Sequence, residues 1–150
     1  MRQRLTCLTL GVTDLDESKR FYIDGLGWRP TLDVPGEVVF FQIAPGQLLA
    51  LFGKDDLEAD ADGTALADPS AAPISLGYNV DSEAEVIETM AHAEKAGATI
   101  VKPAQRADFG GCHGYFADPS GFRWEVVYAA GFQVAEDGTV SMGTEPGTEP

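Results

Sequence analysis

The chain runs through the same plan twice, and this internal repeat restricts the folds open to it more than any other feature. Residues 5–12 alternate apolar and small polar side chains and read as a strand. Residues 13–24 follow as a short helix, with Thr13 and Asp16 or Asp14 and Glu17 forming a capping box, and with Gly25 and Gly27 as left-handed stops. Residues 29–34, 37–43 and 47–52 read as strands separated by the turn pairs Pro35-Gly36 and Pro45-Gly46. The plan restarts at residues 74–80. Ser82 and Glu85 form a capping box, and Val86, Ile87, Met90 and Ala93 recur at helical spacing up to Gly97. Residues 99–103, 114–117 and 123–128 then read as strands, with Asp118-Pro-Ser-Gly121 as a turn. Leu10-Gly11 and Leu76-Gly77 mark equivalent points about 66 residues apart. A β-α-β-β-β unit used twice predicts an α+β fold in which each half buries its helix face with the help of the other.

The repeat divides the chain of 150 residues into module one (4–54), a polar linker rich in Ala, Asp, Gly and Pro (55–72) and module two (73–130), together one domain over 1–130. Residues 131–150 form an extension. Its doubled Gly-Thr-Glu-Pro ending offers no apolar side chain to bury, so disorder is expected from about residue 143. A net charge of −14 opposes binding to a phosphate backbone or to an anionic membrane, so nucleic-acid and membrane partners are not expected. No apolar run approaches the roughly 20 residues that span a bilayer. The basic start, Met1-Arg-Gln-Arg4, lacks the pattern of a signal peptide. Cys7 and Cys112 are too far apart in sequence for a CxxC motif, and a cytoplasmic, reducing location is the expectation.

The chain resembles the vicinal-oxygen-chelate superfamily, which includes glyoxalase I, bleomycin-resistance proteins and extradiol dioxygenases. The resemblance rests on Leu8-Thr-Leu-Gly-Val-Thr-Asp-Leu-Asp-Glu-Ser-Lys-Arg-Phe-Tyr22 with Leu26-Gly-Trp28, and on Gly114-Tyr-Phe-Ala-Asp-Pro-Ser-Gly-Phe-Arg-Trp-Glu125. It implies two tandem βαβββ modules forming a curved mixed sheet around a cavity, and a homodimer. It also implies where a divalent metal such as Zn, Ni, Fe or Mn would be held: at Cys7, about Ala50, Ser75 and Glu125. Of these, only Glu125 is of a type that the family uses at its position. Ala50 has no side-chain donor and Ser75 is a poor one, so no metal cofactor is expected. The arrangement Cys7, His113 and Glu125 stands as the alternative.

Strand alternation puts Cys7, Thr9 and Gly11 on one face of the first strand, Ser75, Gly77 and Asn79 on one face of its counterpart, and Arg123, Glu125 and Val127 on one face of the last. These small and polar sets are expected to face the cavity. Trp28, Phe40, Phe41, Phe52, Phe109, Tyr115 and Phe116 supply aromatic surface near it, whereas Phe21 and Tyr22 read as packing residues. A ligand is therefore expected to meet Cys7, Thr9, Trp28, Ala50, Phe52, Ser75, Asn79, Tyr115 and Arg123. Glu125 is the candidate general base, enclosed by Trp124, Tyr115 and Phe122, unless it pairs with Arg123 or across a strand. His113, in the Gly-rich stretch 110–114, is expected on a mobile wall touching ligand, and His92 on the solvated surface. Three functions fit these residues. One is a small-molecule-binding protein without the family metal. Another is a lyase, isomerase or oxygenase using Glu125 with Cys7 or His113. The third is an interaction module with a filled cavity.

Overall fold

The computed structural model describes residues 1–108 and 110–142. The expectations for Phe109 and for the tail from residue 143 lie outside the described residues. Strand β1 (Cys7–Val12) leads into helix α1 (Leu15–Lys19). Asp14 is the residue that caps α1, its carboxylate accepting from the Glu17 amide at 2.8 Å. The helix widens into π-helical turns over Arg20–Gly25. Strands β2 (Leu32–Val34), β3 (Val38–Ala44) and β4 (Gln47–Gly53) complete module one, and β2 is shorter than residues 29–34 suggested. The linker holds a helix, α2 (Lys54–Asp60), and a 3-10 turn over Pro69–Ala71. Module two repeats the order: β5 (Leu76–Asn79), α3 (Glu83–Ala96), β6 (Thr99–Arg106), β7 (Cys112–Ala117) and β8 (Arg123–Tyr128). The extension carries a hairpin, β9 (Phe132–Val134) and β10 (Val140–Met142).

Each module forms a mixed four-stranded sheet, ordered β1-β4-β3-β2 and β5-β8-β7-β6. In both, the first strand runs parallel to the last and the other neighbouring pairs are antiparallel. The identical order is the structural form of the sequence repeat. Alternation then gives every strand a core side and an open side. Leu10, Val12, Val39, Phe41, Leu49 and Leu51 of the first sheet and Phe116, Trp124 and Val126 of the second turn inward with Val86 and Met90 of α3, and all are buried.

The two modules join through an aromatic cluster around Tyr22, which is fully buried. Its ring meets Phe21 edge-on at 5.0 Å and lies 5.2 Å from Trp28 and 6.2 Å from Trp124. Its hydroxyl donates to Asp118 Oδ2 at 2.7 Å and accepts from Trp124 Nε1 at 3.0 Å. Asp118 Oδ1 accepts from the amides of Ser120 and Phe122 at 3.0 and 2.9 Å, so the turn after β7 is wound around this carboxylate. Ser120 Oγ receives the Thr13 amide at 3.1 Å and lies 3.3 Å from Ser18 Oγ, which ties the turn back to module one.

Gly25 has a different purpose from the stop expected of it. Its φ is not positive, whereas that of Gly27 is +76°. A Cβ on Gly25 would lie 2.6 Å from Cβ of Ala96, so glycine here permits the close approach of the two modules' helices.

Burial holds the Asp118 carboxyl above the usual aspartate range, against the opposing pull of the Tyr22 hydroxyl and the turn amides. The folded state thus holds this proton more tightly than the unfolded chain does. Its contribution to stability is full below the unfolded pKa, about 3.9, and is lost as pH rises through the folded value. The stability of the native chain relative to Asp118→Asn should therefore fall as pH rises from about 3 towards neutrality, which urea unfolding at each pH will measure. Tyr22→Phe leaves Asp118 Oδ2 and Trp124 Nε1 without these partners in the core. It should cost about 2–3 kcal/mol in the same assay.

Candidate functional site

The open face of the second sheet gathers a polar array. His113 and Tyr115 on β7 stand opposite Val127 and Glu125 on β8, and all four side chains share this face. The imidazole Nδ1 of His113 lies 2.9 Å from Glu125 Oε1, and its Nε2 lies 2.8 Å from Lys102 Nζ. An ammonium can only donate and a carboxylate can only accept. The contacts therefore assign His113 the neutral tautomer with Nδ1–H donating to Glu125 and Nε2 accepting from Lys102. Tyr115 hydrogen-bonds to Glu125 from its own side. Burial pushes the Tyr115 phenol up, and the hydrogen bond and charge of Glu125 push it further, so it stays a donor. His113 and Glu125 are partly exposed, at 14% and 26%. A ligand on this face can reach both.

Lys102 reaches this face through a bulge that alternation does not show. Ile100 pairs with Phe116 and Lys102 with Tyr115, so two steps along β6 match one along β7. Regular pairing would turn Lys102 towards the core. Pro103, which lacks a ladder amide, was the available sign of such an irregularity. Gly114 permits it: a Cβ there would sit 3.0 Å from Met90 Cε and 3.1 Å from both the Ala104 amide and the Lys102 carbonyl.

The other expected residues fall in several places. Cys7 and Thr9 share the open face of the first sheet, with Sγ and Oγ1 3.8 Å apart. Thr9 pairs with Ala50 and Gly11 with Phe52, which puts Ala50 and Phe52 on that same face. Ser75 precedes β5 and is exposed, outside the strand expected to carry it. Asn79 pairs with Val127 on the open face of the second sheet. Arg123 donates to the Ser70 carbonyl at 2.8 Å, and Glu125 pairs across the strands with His113 instead. Trp124 turns to the core side and so does not enclose Glu125. His113 belongs to strand β7, not to the glycine loop, because Cys112 and His113 continue the ladder with β8. His92 is tied down: its Nε2 lies 2.8 Å from the Gly25 carbonyl and so carries the proton. Trp28 lies apart from the array, in a cleft between the modules on the core side of the sheets.

The residues at the implied metal positions do not fit a divalent ion. Ala50 is buried without a donor, Ser75 lies outside its strand, and the Glu125 carboxylate already accepts from His113. Among the described residues, no three His, Cys, Asp or Glu side chains form a group that could hold a metal ion, and this includes Cys7, His113 and Glu125.

Comparison with known proteins agrees with this geometry. Residues 4–126 match the model of the Glyoxalase/Bleomycin resistance protein/Dioxygenase superfamily. The chain belongs to that superfamily. It is similar to a glyoxalase-related enzyme from Fulvimarina pelagi, with 33% identity and a TM-score of 0.86 over 95% of this chain and 100% of that one. A glyoxalase/bleomycin resistance protein/dioxygenase from Nocardioides is 25% identical, with a TM-score of 0.72 over 91% and 90% of the two chains. A lactoylglutathione lyase from Agrobacterium tumefaciens is 26% identical, with a TM-score of 0.61 over 85% and 94%. A search of curated proteins finds no match. Among the described residues, no helix is long and apolar enough to cross a membrane.

The tautomer assignment has a direct test. At about pH 8, where an ordinary imidazole is neutral, the nitrogen-15 shifts of His113 should report protonated Nδ1 and bare Nε2. Lys102→Met combined with Glu125→Leu, which removes both contacts, should abolish that preference; equal populations in the native chain would refute the array.

Proposed function

We propose that the chain binds a small organic molecule on the open face of its second sheet, without the family's usual metal. Lys102, His113, Glu125 and Tyr115 are its polar anchors. One observation carries this reading. The last-strand carboxylate, which the family resemblance assigns to a metal, is here hydrogen-bonded to a histidine and a tyrosine, and its would-be co-ligands are Cys7, Ala50 and Ser75. The array suits a ligand with a hydrogen-bonding or anionic group. Such a group takes the Lys102 ammonium from His113 and frees Nε2 to accept from the ligand, while Glu125 holds the ring in place.

A second reading is favoured by the same His113–Glu125 pair. An imidazole oriented through Nδ1 by a carboxylate is a competent proton acceptor at Nε2. The chain would then be a lyase or isomerase in which His113 moves the proton and Glu125 positions it. Glu125→Gln would keep the fold and lower turnover.

Two measurements test the first reading. Calorimetric titration of metal-stripped protein with Zn, Ni, Fe and Mn should show no stoichiometric, sub-micromolar binding. Such binding, lost in Glu125→Gln, overturns it. In a thermal-shift screen of small organic acids and amides, stabilising compounds should lose their effect in both Lys102→Met and His113→Ala. Compounds that stabilise these variants as well as the native chain would place the site elsewhere.

A further inference from the structure

The two modules leave a cleft at their seam, on the side of the sheets away from Lys102, His113 and Glu125. Its deeper lobe, of about 130 Å³, lies between Trp28 and Trp124 and the α3 residues Thr89 and His92. A wider lobe of about 410 Å³ opens towards Arg29, Gln42 and Ile43. The lobes share Trp28, Tyr78 and Trp124, so the same aromatic rings wall both. Trp28 and Trp124 meet edge-to-face at 5.8 Å and are fixed by their packing around Tyr22. Tyr78 remains 48% exposed and Ile43 43% exposed, an apolar rim that a ligand would cover.

The charge around this cleft runs against that of the chain. The sequence has 24 acidic residues. Neither lobe has an Asp or Glu in its lining, and Arg29 stands on the rim of the wider one. The cleft therefore pairs flat aromatic walls with one cation at the mouth. A planar ring gains stacking and edge-on contacts with the walls, and an attached carboxylate meets the guanidinium in its preferred geometry.

We propose that this seam cleft is a second binding site, for a flat aromatic molecule with a single carboxylate. The ring lies among Trp28, Tyr78 and Trp124, and the carboxylate sits on Arg29. The proposal is independent of the open-face reading, because the Tyr78 and Trp124 side chains turn to the opposite side of the second sheet from those of His113 and Glu125.

Both tryptophans of the chain line the cleft, so their two indole N–H cross-peaks in a nitrogen-15 correlation spectrum report on it directly. Titration of the full chain with 2-naphthoate should shift both peaks to saturation. Tyr78→Ala, at an exposed position, should weaken 2-naphthoate and its neutral methyl ester alike, by about fivefold. Arg29→Gln should weaken the acid by about threefold and leave the ester unchanged. Glu125→Gln should change neither. Peaks that stay still or drift without saturating overturn the proposal. So does an affinity untouched by Tyr78→Ala, or by Arg29→Gln for the acid. A loss in Glu125→Gln equal to that in Tyr78→Ala would also overturn it, by moving the ligand to the open face.

Discussion

One hydroxyl holds the two halves of this molecule in register. Tyr22 comes from the π-helical turns of module one, yet its oxygen bonds Asp118 in the turn of module two and Trp124 on its last strand. A buried carboxylate is costly unless its oxygens are satisfied, and Tyr22 and the turn amides satisfy both. The aromatic rings around it fill the space where two sheets of identical topology meet. Module one contributes Phe21, Tyr22, Trp28 and Phe41, and module two Phe116 and Trp124. The contact depends on shape as well: without a bare Gly25 against Ala96 the helices would stand further apart.

Much of this frame is legible in the sequence, for a physical reason. Strand alternation and helix periodicity are local, and a repeat of about 66 residues reports the same local pattern twice. The open-side sets Cys7-Thr9 and Glu125-Val127 follow from that pattern, as do Phe21 and Tyr22 as packing residues. The capping box at Ser82 is half realised: Ser82 accepts from the Glu85 amide, and the Glu85 carboxylate reaches the Asp81 amide, one residue before the cap.

What the sequence did not disclose depends on contacts between distant segments. Lys102 joins His113 because a bulge shifts β6 by one residue, and period-two counting fails across a bulge. His92 is exposed, as expected beside Glu94 and Lys95, but its hydrogen bond to the Gly25 carbonyl, 67 residues away, could not be read from the sequence. Trp28 was expected among the aromatic residues lining the ligand cavity. It sits instead where the modules meet, a place defined by their packing and not by either strand pattern.

The missing side chain at Gly114 has a mechanical consequence. At that point Met90 of α3, the Ala104 amide and the Lys102 carbonyl close together on the space that a Cβ would fill. Interiors this tightly filled transmit a push instead of absorbing it. Helix α3 also forms a wall of the seam cleft through Thr89, His92 and Ala93. Through α3, the wall of the cleft and the bulged segment of β6 thus meet at Gly114. A shift of α3 by a few tenths of an ångström presses on the strand segment that aims Lys102 at His113.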